Sequence, residues 1–386
     1  MKLSNRKKIL VTIDWFLPGY KAGGPIQSCA NLVQHLKPDY DFYILTRDTD
    51  YCETVPYQNI QPNTWVKLED HVQVFYFSAA HLKYKSLFNV IKQVGPDVAF
   101  INGIYSLYFS ILPLFILKRL NHQKIIVSAR GMLAQSAINV KGGKKKLFLK
   151  AIKASGLYKG IRFHATNEEE EKAIGNAISP TANVVIAPNL PKLTDEVAHV
   201  LRNKQRGQLN LVSIARISPE KNTKYALALL ADYKGSEHIN FDIYGPVYNA
   251  DYWQACEEVI RQLPDNIKVK YKGSVQSDKV AATLSHYHAL FLPTQGENFG
   301  HIILESFTAG CPVIISDQTP WRNLEKDKLG FDLPLAEPNK FRQAIQQLTQ
   351  MDQQEYNIWS ERAYFYGNKF INNAEPVQLN RLMFEV

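Results

Sequence analysis

The sequence predicts an α/β chain with two doubly wound parallel sheets, and three observations carry that expectation. Short apolar runs rich in Val, Ile and Phe alternate with helical stretches along the chain, the pattern of strand, crossover helix and strand. The length of 386 residues exceeds what one core usually supports, while the 45% apolar fraction is that of an ordinary globular protein. A polar stretch opening at PNLPKL and running to Gln208 separates two parts, each able to bury a core of its own.

The first seven or eight residues are basic, and the apolar run behind them, 9–13, ends at Asp14. That run is too short for a signal peptide or a spanning helix and reads as the first strand. Its exit loop, DWFLPGYKAGGP, sets Gly23 and Gly24 just before a helix over about 26–36. Glycines there let backbone approach a ligand closely and leave amides free for phosphate or sugar; a simple turn is the plainer reading. Further strands are expected at 41–46, 72–77, 98–102, 125–129 and 161–164. The run 104–117 is apolar but broken by Tyr105, Ser106, Tyr108, Ser110 and Pro113, so it predicts a buried helix. Asp48-Thr49-Asp50 has the form of an acidic triplet with which some enzymes grip a metal. It has no partner motif, so a surface loop and no metal requirement are expected. Cys29, Cys52, Cys256 and Cys311 show no paired spacing, which argues against a zinc site or disulfide framework and for a reducing, cytoplasmic setting.

Charge is unevenly spread. The net charge is +9, yet no acid occurs between Asp97 and Glu168, where Lys and Arg occur twelve times, leaving −3 for the rest of the chain. Inside that block Leu147, Phe148, Ala151, Ile152 and Ser155 recur at helical spacing, with Lys144, Lys145, Lys146, Lys150 and Lys153 on other faces. A basic amphipathic helix in region 118–162 would be drawn to anionic headgroups or a lipid diphosphate; the plainer reading is a solvated lysine face. No recognition module for nucleic acid accompanies these residues.

Arg130, in SARGML, follows a strand and lies at its carboxyl edge; it stays charged, so it could clamp an anion but not accept a proton. A structural arginine is the competing reading. His164 ends the next strand, and Asn167 can cap a helix whose first turn holds Glu168, Glu169 and Glu170. The first part closes with a strand at 184–187 and Asn189. In the second part, the strand 209–215 leads to Arg216 and ISPEKN, so Arg216 and Lys221 flank a tight loop where two cations can neutralise a diphosphate. Gly245-Pro246 and Gly273 to Gln276, with Val275 between, follow strands at 241–244 and 267–271.

The most telling stretch is PTQGENFGHIILESFTAGCPVIIS. A buried strand at 289–292 ends at Pro293, a Gly-bearing loop follows, and a helix over about 299–309 is terminated by Gly310 before another strand at 313–316. The amides of Asn298, Phe299 and Gly300 would open that helix with partial positive charge, a place for an anion. Glu297 and Glu305 repel phosphate, so they face neutral hydroxyls beside it, and carboxylates accept well from vicinal diols. A diphosphate flanked by two polyols is a sugar nucleotide.

The string resembles the signature of the retaining glycosyltransferases of family 4, which have two Rossmann-like domains facing across a cleft (the GT-B fold). The resemblance covers nearly the whole chain and is most specific over 209–324. It implies that Glu305 holds the ribose hydroxyls, Glu297 the transferred sugar, and Asn298 to Gly300 the sugar and diphosphate. It also implies Arg216 and Lys221 on the diphosphate, Gly23 and Gly24 as first-loop contacts, and the Gly245-Pro246 and Gly273-Val275 loops around the base. Arg130 stands where many relatives carry a His that touches the sugar. Thr319, Pro320 and Trp321 also match and would shape the cleft. Domains are expected at 1–190 with a returning tail at 362–386, a linker at 191–208, and 209–361.

The activity so implied is transfer of a hexose, with retention and without metal or other cofactor. The donor would be a UDP- or GDP-sugar and the acceptor a hydroxyl of a lipid-linked or growing cell-surface glycan, with the leaving phosphate helping to take the acceptor's proton. The place would be the cytoplasm, with peripheral contact at the inner face of the cell membrane. A sugar-nucleotide epimerase on the same fold and a non-catalytic sugar-nucleotide-binding or membrane adaptor are the alternatives.

Overall fold

The computed structural model describes residues 6–133, 142–193 and 198–385. It divides into two compact units, Met1–Leu193 with Ala374–Val386, and Thr194–Asn373. Part of the expected basic region (134–141) and of the expected linker (194–197) lies outside the described residues.

In the first unit the elements run β1 (Lys8–Thr12), α1 (Gly24–Leu36), β2 (Asp41–Arg47), β3 (Trp65–Glu69), β4 (Val72–Phe77), α2 (Tyr84–Val94) and β5 (Val98–Asn102). A π-helical turn, Leu107–Ile111, leads into α3 (Leu112–Arg119), followed by β6 (Ile125–Ser128), α4 (Gly142–Ser155), β7 (Arg162–Ala165), α5 (Glu168–Ala177) and β8 (Asn183–Ile186). The sheet order is β3-β4-β2-β1-β5-β6-β7-β8, parallel except for β3, an antiparallel edge strand that the sequence pattern did not disclose. Its burial pattern explains why: Lys67 and Leu68 are exposed, and only the adjacent pair Trp65 and Val66 packs against the core, Trp65 edge to face with Phe75. The central strands are apolar on both faces because helices cover both. Leu10, Ala99 and Ile101 enter one core layer, and Ile9, Val11, Val98 and Phe100 enter the other.

The second unit contains β9 (Gln208–Ile214), α6 (Thr223–Ala231), β10 (His238–Tyr244), α7 (Ala250–Ile260), β11 (Ile267–Tyr271), α8 (Val280–Leu284) and β12 (Ala289–Leu292). It continues with α9 (His301–Thr308), β13 (Val313–Ser316), β14 (Gly330–Leu333), α10 (Pro338–Gln350) and α11 (Gln353–Ile371). Its sheet is wholly parallel in the order β11-β10-β9-β12-β13-β14. This is the doubly wound order in which the winding reverses between the first and fourth strands, here β9 and β12, and ligands bind beyond the carboxyl ends at such a reversal.

A last helix, α12 (Glu375–Phe384), returns to the first unit, where the Phe384 ring meets Tyr40, Phe42 and Phe100 and Asn380 donates to the Pro188 carbonyl. The boundaries differ from those expected. Residues 362–373 stay with the second unit because α11 lays Tyr366 and Phe370 against Trp321, and Tyr366 also against Phe307. The stretch expected to link the domains at 191–208 is, in its described part, a strap on the second unit. Arg202 is buried and donates to the Ala309 and Gly310 carbonyls at the end of α9, and buried Lys204 donates to the Thr349 and Met351 carbonyls at the end of α10. Cations at helix C-termini satisfy carbonyls that have no partner within the helix.

Candidate active site

The second unit gathers its polar groups at the β9/β12 reversal. After β9 the chain passes Arg216, makes a single 3₁₀ turn over Pro219–Lys221, and enters α6 through Asn222 in the left-handed conformation. After β12 it runs from Pro293 to Gly300. Three hydrogen bonds lock these loops together: Gln295 N to the Glu220 carbonyl (2.8 Å), Thr294 Oγ1 to the same carbonyl (3.0 Å), and Asn222 Nδ2 to the Pro293 carbonyl (3.0 Å). The lock sets two side chains side by side. Lys221 Nζ lies 2.5 Å from Glu297 Oε1, with only 18% and 12% of the two side chains exposed. Glu297 N is itself held by the Gln318 carbonyl at 2.9 Å.

A lysine ammonium has three donors, so pairing with Glu297 fixes its place while leaving donor capacity for a second anion. A half-buried pair interacts more strongly than one in bulk water, and salt screens it less.

The helix after Glu297 begins later than its sequence suggested. Asn298 and Phe299 form a turn, Gly300 sits at φ +76° as the cap, and α9 starts at His301. A Cβ on Gly300 would lie 2.8 Å from Ile303 Cδ1, so both conformation and space call for glycine. Trp321 Nε1 holds the Phe299 carbonyl at 2.6 Å, which assigns the TPW segment a supporting part in this loop. Glu305, half-buried, lies in the second turn of α9, and Gly310 (φ +65°) follows its end as expected.

The two loops expected to surround a base are tied to each other and to the β9 loop. Gly245 N donates to the Gly273 carbonyl (2.8 Å), and Ile217 N donates to the Pro246 carbonyl (2.9 Å). Gly245 stands at φ +142°, and a Cβ there would fall 1.8 Å from the Ala215 carbonyl oxygen. Val275 is half-buried against the core layer that holds Leu304 and Ile315. Arg216 places its guanidinium 6.0 Å from the Tyr248 ring centre. Ser218, fully buried between Arg216 and Lys221, is a residue the sequence reading did not single out; its hydroxyl has no partner among the described residues.

The first unit treats its carboxyl edge differently. Arg130 occupies φ +51°, with Nε 2.7 Å from Asn102 Oδ1, Nη1 2.5 Å from Asn189 Oδ1, and the guanidinium 5.8 Å from the Phe100 ring centre. These contacts make it a brace across three strand ends. Glu170 is more than the helix-start acid expected: Oε1 accepts from Gly131 N, and Oε2 accepts from the amide and hydroxyl of Thr166. Asn167 caps α5 as expected, accepting from Glu170 N. His164 is neutral in the fold: burial pushes its pKa down to about 4, Ser128 Oγ donates to Nδ1 and Nε2 donates to the Ala187 carbonyl.

Asp48 and Asp50 are buried, which corrects the expected surface loop. Asp50 accepts from the amides of Tyr20, Lys21 and Tyr51 and so shapes the loop that ends in Gly23 and Gly24. Gly23 caps α1 at φ +70°, and Gly24 is exposed at its first position; a Cβ on either would meet nothing within 4 Å. Among the described residues no group of three or more His, Cys, Asp or Glu is arranged to hold a metal. No described helix is long and apolar enough to cross a membrane.

The chain resembles known proteins in sequence over its second unit and in fold over nearly its whole length. Residues 198–365 match the family model "Glycosyl transferases group 1". A curated relative, the alpha-monoglucosyldiacylglycerol synthase of Streptococcus pneumoniae, is 26% identical over 156 residues, which span 39% of this chain and 35% of that protein. Among solved structures, the sucrose-phosphate synthase of Thermosynechococcus elongatus superposes with a TM-score of 0.69 at 16% identity, over 98% of this chain and 99% of that one. WaaG, a glycosyltransferase involved in lipopolysaccharide biosynthesis, gives 0.68 at 12% identity over 98% and 100%. Anabaena HepE, solved with UDP and glucose, gives 0.67 at 13% over 98% and 99%. With two doubly wound units and solved relatives of the same architecture along nearly its whole length, the chain has the GT-B fold, and residues 198–365 match the glycosyl transferases group 1 family.

Proposed function

We propose that the chain is a metal-independent, retaining glycosyltransferase of family 4. It moves a hexose from a nucleotide-diphosphate sugar to a hydroxyl of a lipid-linked or cell-surface glycan. The observation that carries this reading is the Lys221–Glu297 pair, held by locked loops at the β9/β12 reversal inside the segment that matches the family model. Similar proteins support it from outside: one is an alpha-monoglucosyldiacylglycerol synthase, one is a glycosyltransferase involved in lipopolysaccharide biosynthesis, and one was solved with UDP and glucose.

In this reading Lys221 and Arg216 take the donor diphosphate and neutralise the charge that builds as it leaves. Stabilisation that grows toward the transition state is what accelerates the chemical step. Glu297 positions the Lys221 ammonium and accepts from the transferred sugar, while Glu305 accepts from the ribose. The leaving phosphate assists removal of the acceptor's proton on the same face, giving retention. The cations and loop amides do the work a metal does elsewhere. The protein acts at the cytoplasmic face of the membrane, attracted through its basic region.

The test is nucleotide release from a panel of UDP- and GDP-sugars, with and without a chelator, by wild type and by Lys221→Ala and Glu305→Ala. Release from one donor, unchanged by chelation and reduced about 10²- to 10³-fold in Lys221→Ala, is expected, the size typical of losing one transition-state contact. Unchanged release in both variants, or loss on chelation, would overturn the assignment.

A further inference from the structure

Within the first unit, a groove of about 490 Å³ lies between α4 and α5. Its size is that of a small-molecule site. Lys146, Lys150 and Lys153 line it from α4, where the spacing of four and then three residues puts them on one helix face, and Lys172 lines it from α5. None of the four is ion-paired with a carboxylate among the described residues. Among the described lining residues Glu169 is the one acid, so these residues carry three excess positive charges. Leu133, Leu149, Ala173 and Ala177 supply an apolar surface. Like charges on one helix face destabilise the helix, and an anion bound among them would offset that repulsion.

The helix also departs from its expected face. Among its described residues Leu149 and Ile152 are buried, while Leu147, Ala151 and Ser155, expected on the apolar side, are exposed. Leu147, 69% exposed, therefore stands on the solvent side of a lysine-rich helix.

We propose that this groove is a discrete binding site for a phosphorylated amphiphile. The lysines hold its phosphate or diphosphate head, and the Leu and Ala surface takes the first carbons of its tail. Lysines are good point-charge partners for phosphate, and an apolar floor distinguishes the site from a patch that merely attracts anions. The inference does not depend on the chain being a glycosyltransferase.

The experiment is calorimetric titration of the full chain with geranyl diphosphate, inorganic pyrophosphate and geraniol, alongside sedimentation with phosphatidylcholine vesicles carrying or lacking phosphatidylglycerol. Wild type should bind geranyl diphosphate one to one, at least tenfold more tightly than pyrophosphate, and should not bind geraniol. The double variant Lys150→Glu/Lys153→Glu should lose at least tenfold in that affinity while keeping its thermal midpoint. Leu149→Ser, with Lys146 and Lys150 intact, should erase the preference over pyrophosphate. Equal affinity for both anions would overturn the apolar part of the site. Vesicle binding without stoichiometric geranyl diphosphate binding, or affinity untouched by charge reversal, would overturn the groove itself in favour of diffuse attraction.

Discussion

The two units share one architecture and use its most reactive edge in opposite ways. At the carboxyl edge of the first unit, Arg130 is spent on Asn102 and Asn189, Glu170 on Gly131 and Thr166, and Asp50 on two amides of the neighbouring loop and one of its own. In the second unit the loops are held by backbone carbonyls, through Thr294, Asn222 and Gln295, and this leaves Lys221 and Glu297 to each other. The difference teaches that a charged residue at a strand's carboxyl end is not by itself a sign of chemistry. What distinguishes the second unit is that its rigidity comes from groups other than its charges.

The sharpest way to break that comparison is Glu170→Ala. It would strand the Gly131 and Thr166 amides and the Thr166 hydroxyl inside the first unit, and losing an acceptor shared by buried donors costs several kcal/mol. A loss of about 3–5 kcal/mol in unfolding free energy is expected, with donor affinity in the second unit unchanged. Denaturant midpoints and donor titration of the same variant read the two quantities. A full loss of donor affinity at retained stability would mean that the first unit's edge is more than a brace.

The strands and the site loops of the second unit were legible from sequence because a parallel sheet buries both faces and because loop glycines answer to backbone geometry. Gly245, a carbonyl's breadth from Ala215, and Gly300, capping α9, are such cases. Less legible were features that depend on partners distant in sequence. Nothing local in FHATNEEEE says that Glu170 reaches Gly131, thirty-nine positions earlier. Arg202 and Lys204 fall in the stretch expected as a linker because their partners, the carbonyl ends of α9 and α10, lie more than a hundred residues on. Likewise β3 shows too little apolar alternation to be told from loop, and the division of 362–373 from 374–386 depends on the aromatic contacts of α11.

Each unit also contains one buried histidine in the same role, and here the units should agree. His288 accepts from Asn210 N at Nδ1 and donates from Nε2 to the Asn203 carbonyl, and burial pushes its pKa down to about 4, as for His164. In the unfolded chain both rings take up a proton near pH 6.5, before the folded ones do, so the unfolded state binds more protons between pH 6.5 and 4. Stability is therefore full above pH 6.5 and falls as pH drops toward 4, by on the order of 3 kcal/mol for each histidine. Urea midpoints measured across that range check it. A flat profile, or one whose slope survives replacement of both histidines by Gln, would show that other groups set the acid limit.

The smallest effect separates the two arginines. Arg216 is assigned to the donor and lies over Tyr248, whereas Arg130 serves its neighbours. Lysine keeps the charge but loses the planar fork and the stacking face. Arg216→Lys should weaken donor binding about tenfold, roughly 1.4 kcal/mol, and leave the thermal midpoint within a degree or two. Arg130→Lys should lower the midpoint of the first unit by several degrees, because Asn102 and Asn189 lose a shared donor. If the two substitutions gave the same pattern, the contrast between a braced edge and a receiving edge would fail at the residues that state it most directly.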